Sequence, residues 1–247
     1  MDISLLQSFV EEIKKDIDFC VKNSAFINSN GEVQTSNGKG EKFENGLQAR
    51  SALIRSSKLI LRIHELVKIS LNAELSSRML KDYEIHPPIG YPSPEKDVWG
   101  LLKKKQQDVV VLFKNPNKEL IDEGPLKGDY DLIGRETTKT SIVIGVRSQL
   151  SSIDKNFDTL MERAFAETMN LRLRHPKLIM GEVYMLPVKE YDEQAMKLNK
   201  VAFKNKFTDV EKFISIFNGF TGRQDPNNIK ESYKYEKSSL NIPSTPN

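Results

Sequence analysis

The chain has 247 residues, 38% of them hydrophobic, with 37 Lys and Arg against 34 Asp and Glu, for a net charge of +3. That length buries one sizeable core, and so small a net charge excludes a molecule-wide polycationic field; any polyanion must be held by local patches. The single cysteine, Cys20, excludes an internal disulfide framework and fits a reducing cytosol. The N-terminus is amphipathic with early acids, unlike a secretory signal, and no run approaches the about 18 apolar residues of a membrane span. A soluble, cytoplasmic protein is expected.

Residues 3–22 carry Ile3, Leu6, Val10, Ile13, Ile17 and Cys20 at helical spacing, with Cys20 as a small core residue. Residues 23–42 are rich in Asn, Ser and Gly and predict a long mobile loop. Residues 43–81 read as helical. Leu53, Leu59, Ile60, Ile63, Leu66, Val67 and Ile69 form the apolar stripe, and Arg50, Arg55, Lys58, Arg62 and Lys68 a basic side. The four prolines of residues 83–97 predict an extended crossover. Residues 107–114 read as a buried strand because Val109, Val110 and Val111 are β-branched and continuous. Lys103, Lys104 and Lys105 are its exposed approach.

Residues 130–133 and 140–150 are strand-like and could pair as a hairpin through the turn at 134–137. A helix is expected from Ser152, as N-cap, to Arg174, ended by His175 and Pro176. Residues 178–188 form a strong strand candidate, and 189–218 two short helices with a break near Asn205. Residues 233–242 could add an edge strand, and the last five residues should fray. No internal repeat is evident. The expected class is α/β (α+β), a central mixed sheet flanked by helices. A single domain is expected, with a mainly helical part (1–106), a core (107–187) and a helical C-terminal part (188–247).

At about 100° per residue, Ile153, Phe157, Leu160, Met161, Ala164, Thr168 and Leu171 share the core face of the helix. Glu167 borders that face and could pair with Arg163. Glu162 lies roughly 140° away from Glu167. Along residues 142–149, Ile142, Ile144 and Val146 face one way, and Val143, Gly145, Arg147 and Gln149 the other. A polar patch at a central strand's end is where α/β sheets place sites. Asp131 could lie across the hairpin from it. The plainer reading is a salt bridge of Arg147 with Asp131 or Glu167. His64, His86 and His175 sit in unlike contexts without metal-ligand spacing, and Gly38, Lys39 and Gly40 follow no strand.

Asp131, a strand ending Gly145-Val146-Arg147-Ser148-Gln149 and the helix after it resemble the core of the PD-(D/E)XK nuclease superfamily. The stretch IGVRSQLSSIDKNFDTLMERAFAETMNL, with LIMGEVYMLPV beyond it, resembles type II restriction endonucleases. The resemblance covers residues 107–187. It implies a restriction-endonuclease-like core that holds Mg²⁺ and cleaves double-stranded DNA at specific sites, as a homodimer within a restriction-modification system. By the same resemblance Asp131 is the first metal-binding aspartate, with Asp129 as the alternative. Arg147 stands where the lysine usually is, and Gln149 is admissible for that role. Gly145 departs from the pattern, because the second acid belongs there; Glu167, or less readily Glu162, would supply it from the helix. Glu65 could add a further acid. Arg147 would hold phosphate and not act as a base. DNA reading would fall to the 23–42 loop, the basic helix side, and Lys200, Lys204, Lys206 and Arg223. A second reading, supported by Gly145, is a nucleic-acid-binding protein with a nuclease-like core and no chemistry. A third is a cytosolic α/β protein of other function, for which the near-neutral charge speaks.

Overall fold

The computed structural model describes residues 3–242; the expected fraying of the last five residues lies outside them. In chain order the elements are α1 (Ile3–Asn23), β1 (Phe26–Ile27), β2 (Val33–Gln34), α2 (Gly46–Arg55), α3 (Lys58–Ser77), β3 (Glu84–His86), β4 (Lys96–Trp99), β5 (Lys104–Gln107), β6 (Val109–Leu112) and β7 (Glu119–Leu120). There follow β8 (Tyr130–Asp131), α4 (Arg135–Thr138), β9 (Ile142–Ser148), α5 (Phe157–Arg172), β10 (Ile179–Met185), β11 (Lys189–Tyr191), α6 (Glu193–Lys197), β12 (Phe203–Phe207), α7 (Val210–Gly219) and β13 (Lys237–Asn241). The chain is mixed α/β with a five-stranded mixed sheet flanked by helices, the coarse class expected. Its contacts divide it into two compact units, a finer partition than the single domain expected.

The first unit takes in the described parts of Met1–Leu66, Pro187–Thr208 and Ile242–Asn247. α1 buries Ile13, Ile17, Cys20 and Val21, the face its spacing predicts. Gly46 lets α2 approach that helix, since a Cβ there would collide with the Val21 backbone. Asn45 caps α2, its side chain accepting from Gln48 N at 3.2 Å. The long helix expected over 43–81 is two. Ser57, at φ +63°, takes the left-handed conformation that ends one helix before α3 begins.

The expected mobile loop is structured. β1 and β2 pair antiparallel, Phe26 opposite Gln34, and residues 28–32 and 37–41 close two turns of the same build. Residues 189–207 also differ from expectation, forming β11 and β12 around the one-turn α6. Tyr191 and Phe203 pack across that pair with tilted rings, 4.7 Å between centroids. Such cross-strand aromatic contact favours strand over helix.

The second unit takes in Val67–Leu186 and Asp209–Asn241. Its sheet runs β13-β10-β9-β6-β3. β10 is parallel to β9 and β13; β6 is antiparallel to β9 and β3. Parallel neighbours need a crossover, and α5 supplies the one between β9 and β10. Val110 and Leu112 of β6, Val143 of β9 and Met180 of β10 face Ala164 and Leu171 of α5. Beyond them Tyr184 and Leu186 pack with Phe157, Leu160, Phe213 and Phe217.

Two local expectations are corrected here. Among the described residues β8 pairs with β7 alone, and α4 occupies the supposed hairpin turn, so residues 130–133 and β9 are not a hairpin. Ser152 is not the N-cap, for at φ +53° it precedes a turn of 3₁₀ helix, and α5 starts at Phe157. Lys104 and Lys105 belong to β5, which pairs with β4. The edge strand expected near the C-terminus is present as β13.

Candidate active site

On the face of the sheet beneath α5, one row of side chains is chemically unlike its neighbours. Glu182 of β10 lies beside Gly145 of β9, and Val109 of β6 lies opposite Ile144. Continuing that antiparallel register by one residue sets Asp108 opposite Gly145 from the other side. Asp108 Oδ2 accepts a hydrogen bond from Val146 N at 2.6 Å, which fixes it there. Gly145 is thus flanked by a carboxylate on each neighbouring strand. A Cβ at Gly145 would collide with Glu182 Oε2, so the carboxyl of Glu182 fills the space a side chain at 145 would take.

Arg147 follows on the same face. Its Nε lies 2.8 Å from Glu182 Oε1 and its Nη2 2.5 Å from Glu167 Oε2. Lys105 of β5 also pairs with Glu167. Glu182 is 2% exposed and Glu167 8%, so water screens this network little. Burial pushes Glu182 up to about 7; Glu167 and Asp108 add to the rise, while Arg147 and Tyr235 oppose it. Burial works to discharge Arg147 too, but Glu182 and then Glu167 outweigh it and hold the guanidinium charged. The Tyr235 hydroxyl faces Glu182 and is raised well above its ordinary value by burial and by that carboxylate. Arg147 donates a hydrogen bond to Glu167, whereas its approach to Glu182 is an ion pair, and neither Glu182 oxygen nor the Tyr235 hydroxyl completes a hydrogen bond among the described residues. A Glu95 oxygen lies within 4.8 Å of Asp108, and burial and then Asp108 raise its carboxyl.

The group opens into a cavity of about 470 Å³. Asp108, Glu167 and Arg147 line it, with Lys103, Lys105 and Arg163 at its wall. Asn170 holds the basic segment in place. Its Oδ1 accepts from Leu102 N and Lys103 N at 2.8 and 3.2 Å, and its Nδ2 donates to the Lys103 carbonyl at 3.0 Å. Gly100 is required where this segment passes Asn170, because a Cβ would overlap the amide.

The structure unites Arg147 and Glu167, as the strand and helix faces predict, and scatters the other predicted site residues. Asp131 is fully buried outside the five-stranded sheet. Its Oδ1 accepts from Ile133 N and Gly134 N at 3.0 and 2.9 Å, and its Oδ2 pairs with Arg174 at 3.3 Å. It does not lie across from Arg147. Asp129 is exposed at the approach to the same two-stranded sheet. Glu162 is exposed on α5. Gln149 bonds to Tyr184, accepting from its hydroxyl at 2.6 Å, and its Nε2 donates to the Ser152 carbonyl at 3.1 Å. Arg163 does not pair with Glu167 and makes no ion pair among the described residues. Glu65 belongs to the first unit. Of the cations proposed for DNA reading, Arg223 is buried, pairing with Glu236 and donating to the carbonyls of Pro176 and Pro226.

Sequence reading missed Asp108 and Glu182, though both leave a signal. Asp108 is an acid at the head of a wholly apolar strand, and Glu182 is the lone charge in LIMGEVYMLPV. A charge placed in a buried strand needs a partner or a ligand. Carboxylate oxygens are the donors a hard divalent cation takes, and Asp108 and Glu167 offer them at the cavity; the oxygens of Asp108, Glu167 and Glu182 do not come within 4.8 Å of one another as a group of three. No protein-family model, no curated protein and no solved structure matches this chain.

Proposed function

We propose that this protein is a Mg²⁺-dependent endonuclease that hydrolyses phosphodiester bonds of double-stranded DNA at specific sites, with the restriction-endonuclease-like core of a type II restriction enzyme. The observation that carries the reading is the row Asp108, Gly145, Glu182. In this reading Glu182 of β10 supplies the second acid that Gly145 of β9 lacks. Asp108 takes the place of the first aspartate, which Asp131, closed into its ion pair with Arg174, does not fill. Asp108 and Glu182 would hold the ion, with Glu167 behind them. A bound Mg²⁺ lowers the pKa of its water and offsets negative charge on the phosphoryl oxygens. Arg147 keeps the buried acids from repelling one another and presents a fixed charge to phosphate. Lys103 and Arg163, which make no ion pair among the described residues, would draw the DNA backbone to the cavity.

Incubating the protein with mixed-sequence duplex DNA, in Mg²⁺ and in EDTA, tests this. Discrete fragments should form only with Mg²⁺, and Asp108→Asn or Glu182→Gln should each slow cutting about a hundredfold or more without loss of folding. Intact DNA from folded protein at every metal and salt concentration would overturn the reading. A second reading, a DNA-binding protein without chemistry, is favoured by one observation: Arg147 and Lys105 already neutralise Glu167. Tight binding with no cleavage in Mg²⁺ would decide for it.

A further inference from the structure

The first unit carries a cleft of about 930 Å³ between the β1–β2 hairpin, its neighbouring turn and α2. The two turns are built alike. Asn28 Oδ1 accepts from the amides of Asn30 and Glu32, and its Nδ2 donates to the Glu32 carboxylate. Asn37 does the same with Lys39 and Glu41. Gly31 and Gly40, both at φ +82°, complete the turns. This chemistry uses up the acids of the segment as staples: Glu32 and Glu41 within the turns, and Glu44, which accepts from Gln48 Nε2 at 2.9 Å. The cations are not used. Lys39, Lys42 and Arg55 are exposed and make no ion pair among the described residues. Within the cleft the half-buried Gln34 carries an amide with no hydrogen-bond partner among the described residues, while Phe26 and Phe43 lie with ring centroids 6.1 Å apart.

We infer that this cleft is where the protein grips and reads duplex DNA. The inference rests on the nuclease reading for its choice of ligand. Unpaired cations on the second turn and just past it, and at the end of α2, fit a phosphate backbone, whose contacts set position. A free glutamine amide, able to donate and accept at once, fits a base edge and so sets sequence. Ordered turns lose little further entropy on binding, which a mobile loop would not offer.

The test has two readouts. The full chain carrying Asp108→Asn is titrated with a short fluorescein-labelled duplex of mixed sequence in EDTA, across a salt series. Adding Lys39→Ala with Arg55→Ala should weaken binding about tenfold or more and lower the salt slope by about two. On an otherwise native chain, Gln34→Ala should broaden the sequences found at cut ends while thermal unfolding stays unchanged. Equal affinity and salt slope in the Lys39, Arg55 variant would overturn the inference, as would unbroadened cut ends in the Gln34 variant. No DNA binding by the parent at low salt would overturn it too. Binding that depends on Lys39 and Arg55, in a chain that never cuts, would sustain the cleft and sink the nuclease reading alone.

Discussion

Removing the Asp131 carboxylate should unsettle the fold and leave the chemistry intact. Two backbone amides lose their acceptor, and Arg174, itself 6% exposed, keeps only Glu119 at 2.8 Å. A broken buried pair leaves a charge in a medium that solvates it badly. Asp131→Ala should therefore cost about 3 kcal/mol, read as a lowered midpoint in urea. The variant still folded at low temperature should cleave at close to the native rate per molecule. Loss of cutting at unchanged stability would return Asp131 to the site. The side chains that sequence could place were those whose partners share a face: Arg147 on β9 and Glu167 at the border of α5. Asp108 and Glu182 escaped because their meeting depends on the register between strands, which no spacing along the chain encodes.

The same limit holds for the elements. β6, β9 and β10 were legible because a continuous apolar run or strict alternation leaves little choice. The hairpin expected over residues 130–150 is absent, since adjacency in sequence suggests a pairing that β6 and β10 take instead. Residues 28–41 look like a loop by composition, yet the side chains of Asn28, Glu32, Asn37 and Glu41 each have a bond to make. Just past α5, His175 is fully buried, donating from Nε2 to the Trp99 carbonyl at 2.7 Å. Burial pushes its pKa down to about 4; the Trp99 bond opposes this, and Arg174 adds to it. The unfolded chain takes up a proton near 6.5 that the folded one refuses until about 4. Stability is therefore lost progressively as pH falls through that window. His175→Gln should remove roughly 2 kcal/mol of this acid dependence between pH 7 and pH 4.5. Denaturant midpoints at pH 7 and pH 4.5 would measure it, and parallel curves for native and variant protein would refute it.

For the whole molecule, on the nuclease reading proposed above, a net charge of +3 would leave attraction to DNA to patches. Those patches are the unpaired cations of the active-site cavity and of the twin-turn cleft. No helix among the described residues is long and apolar enough to cross a membrane. Cutting both strands of a symmetric site favours two copies related by a two-fold axis. Sedimentation equilibrium at micromolar concentration, with a duplex bearing the mapped cut site, should give a complex holding twice the 28.2 kDa chain mass. A strictly one-to-one complex that still severs both strands would exclude the dimer.

Gly145 and Glu182 make up one position shared between two addresses in the chain, the carboxyl of one filling the space left by the other. A signature written along a single strand cannot register it; a signature written across strands, as a column, can. It also means that the two residues are exchangeable as a pair and not singly. Gly145→Glu alone crowds an occupied space, and Glu182→Gly alone empties it. Both together move the carboxylate one strand over at constant charge and nearly constant volume. In a double-mutant cycle on cleavage the pair should recover at least tenfold of the activity that either single change loses, a coupling of about 1.4 kcal/mol or more. Strict additivity would mean that the two positions are neighbours and nothing more.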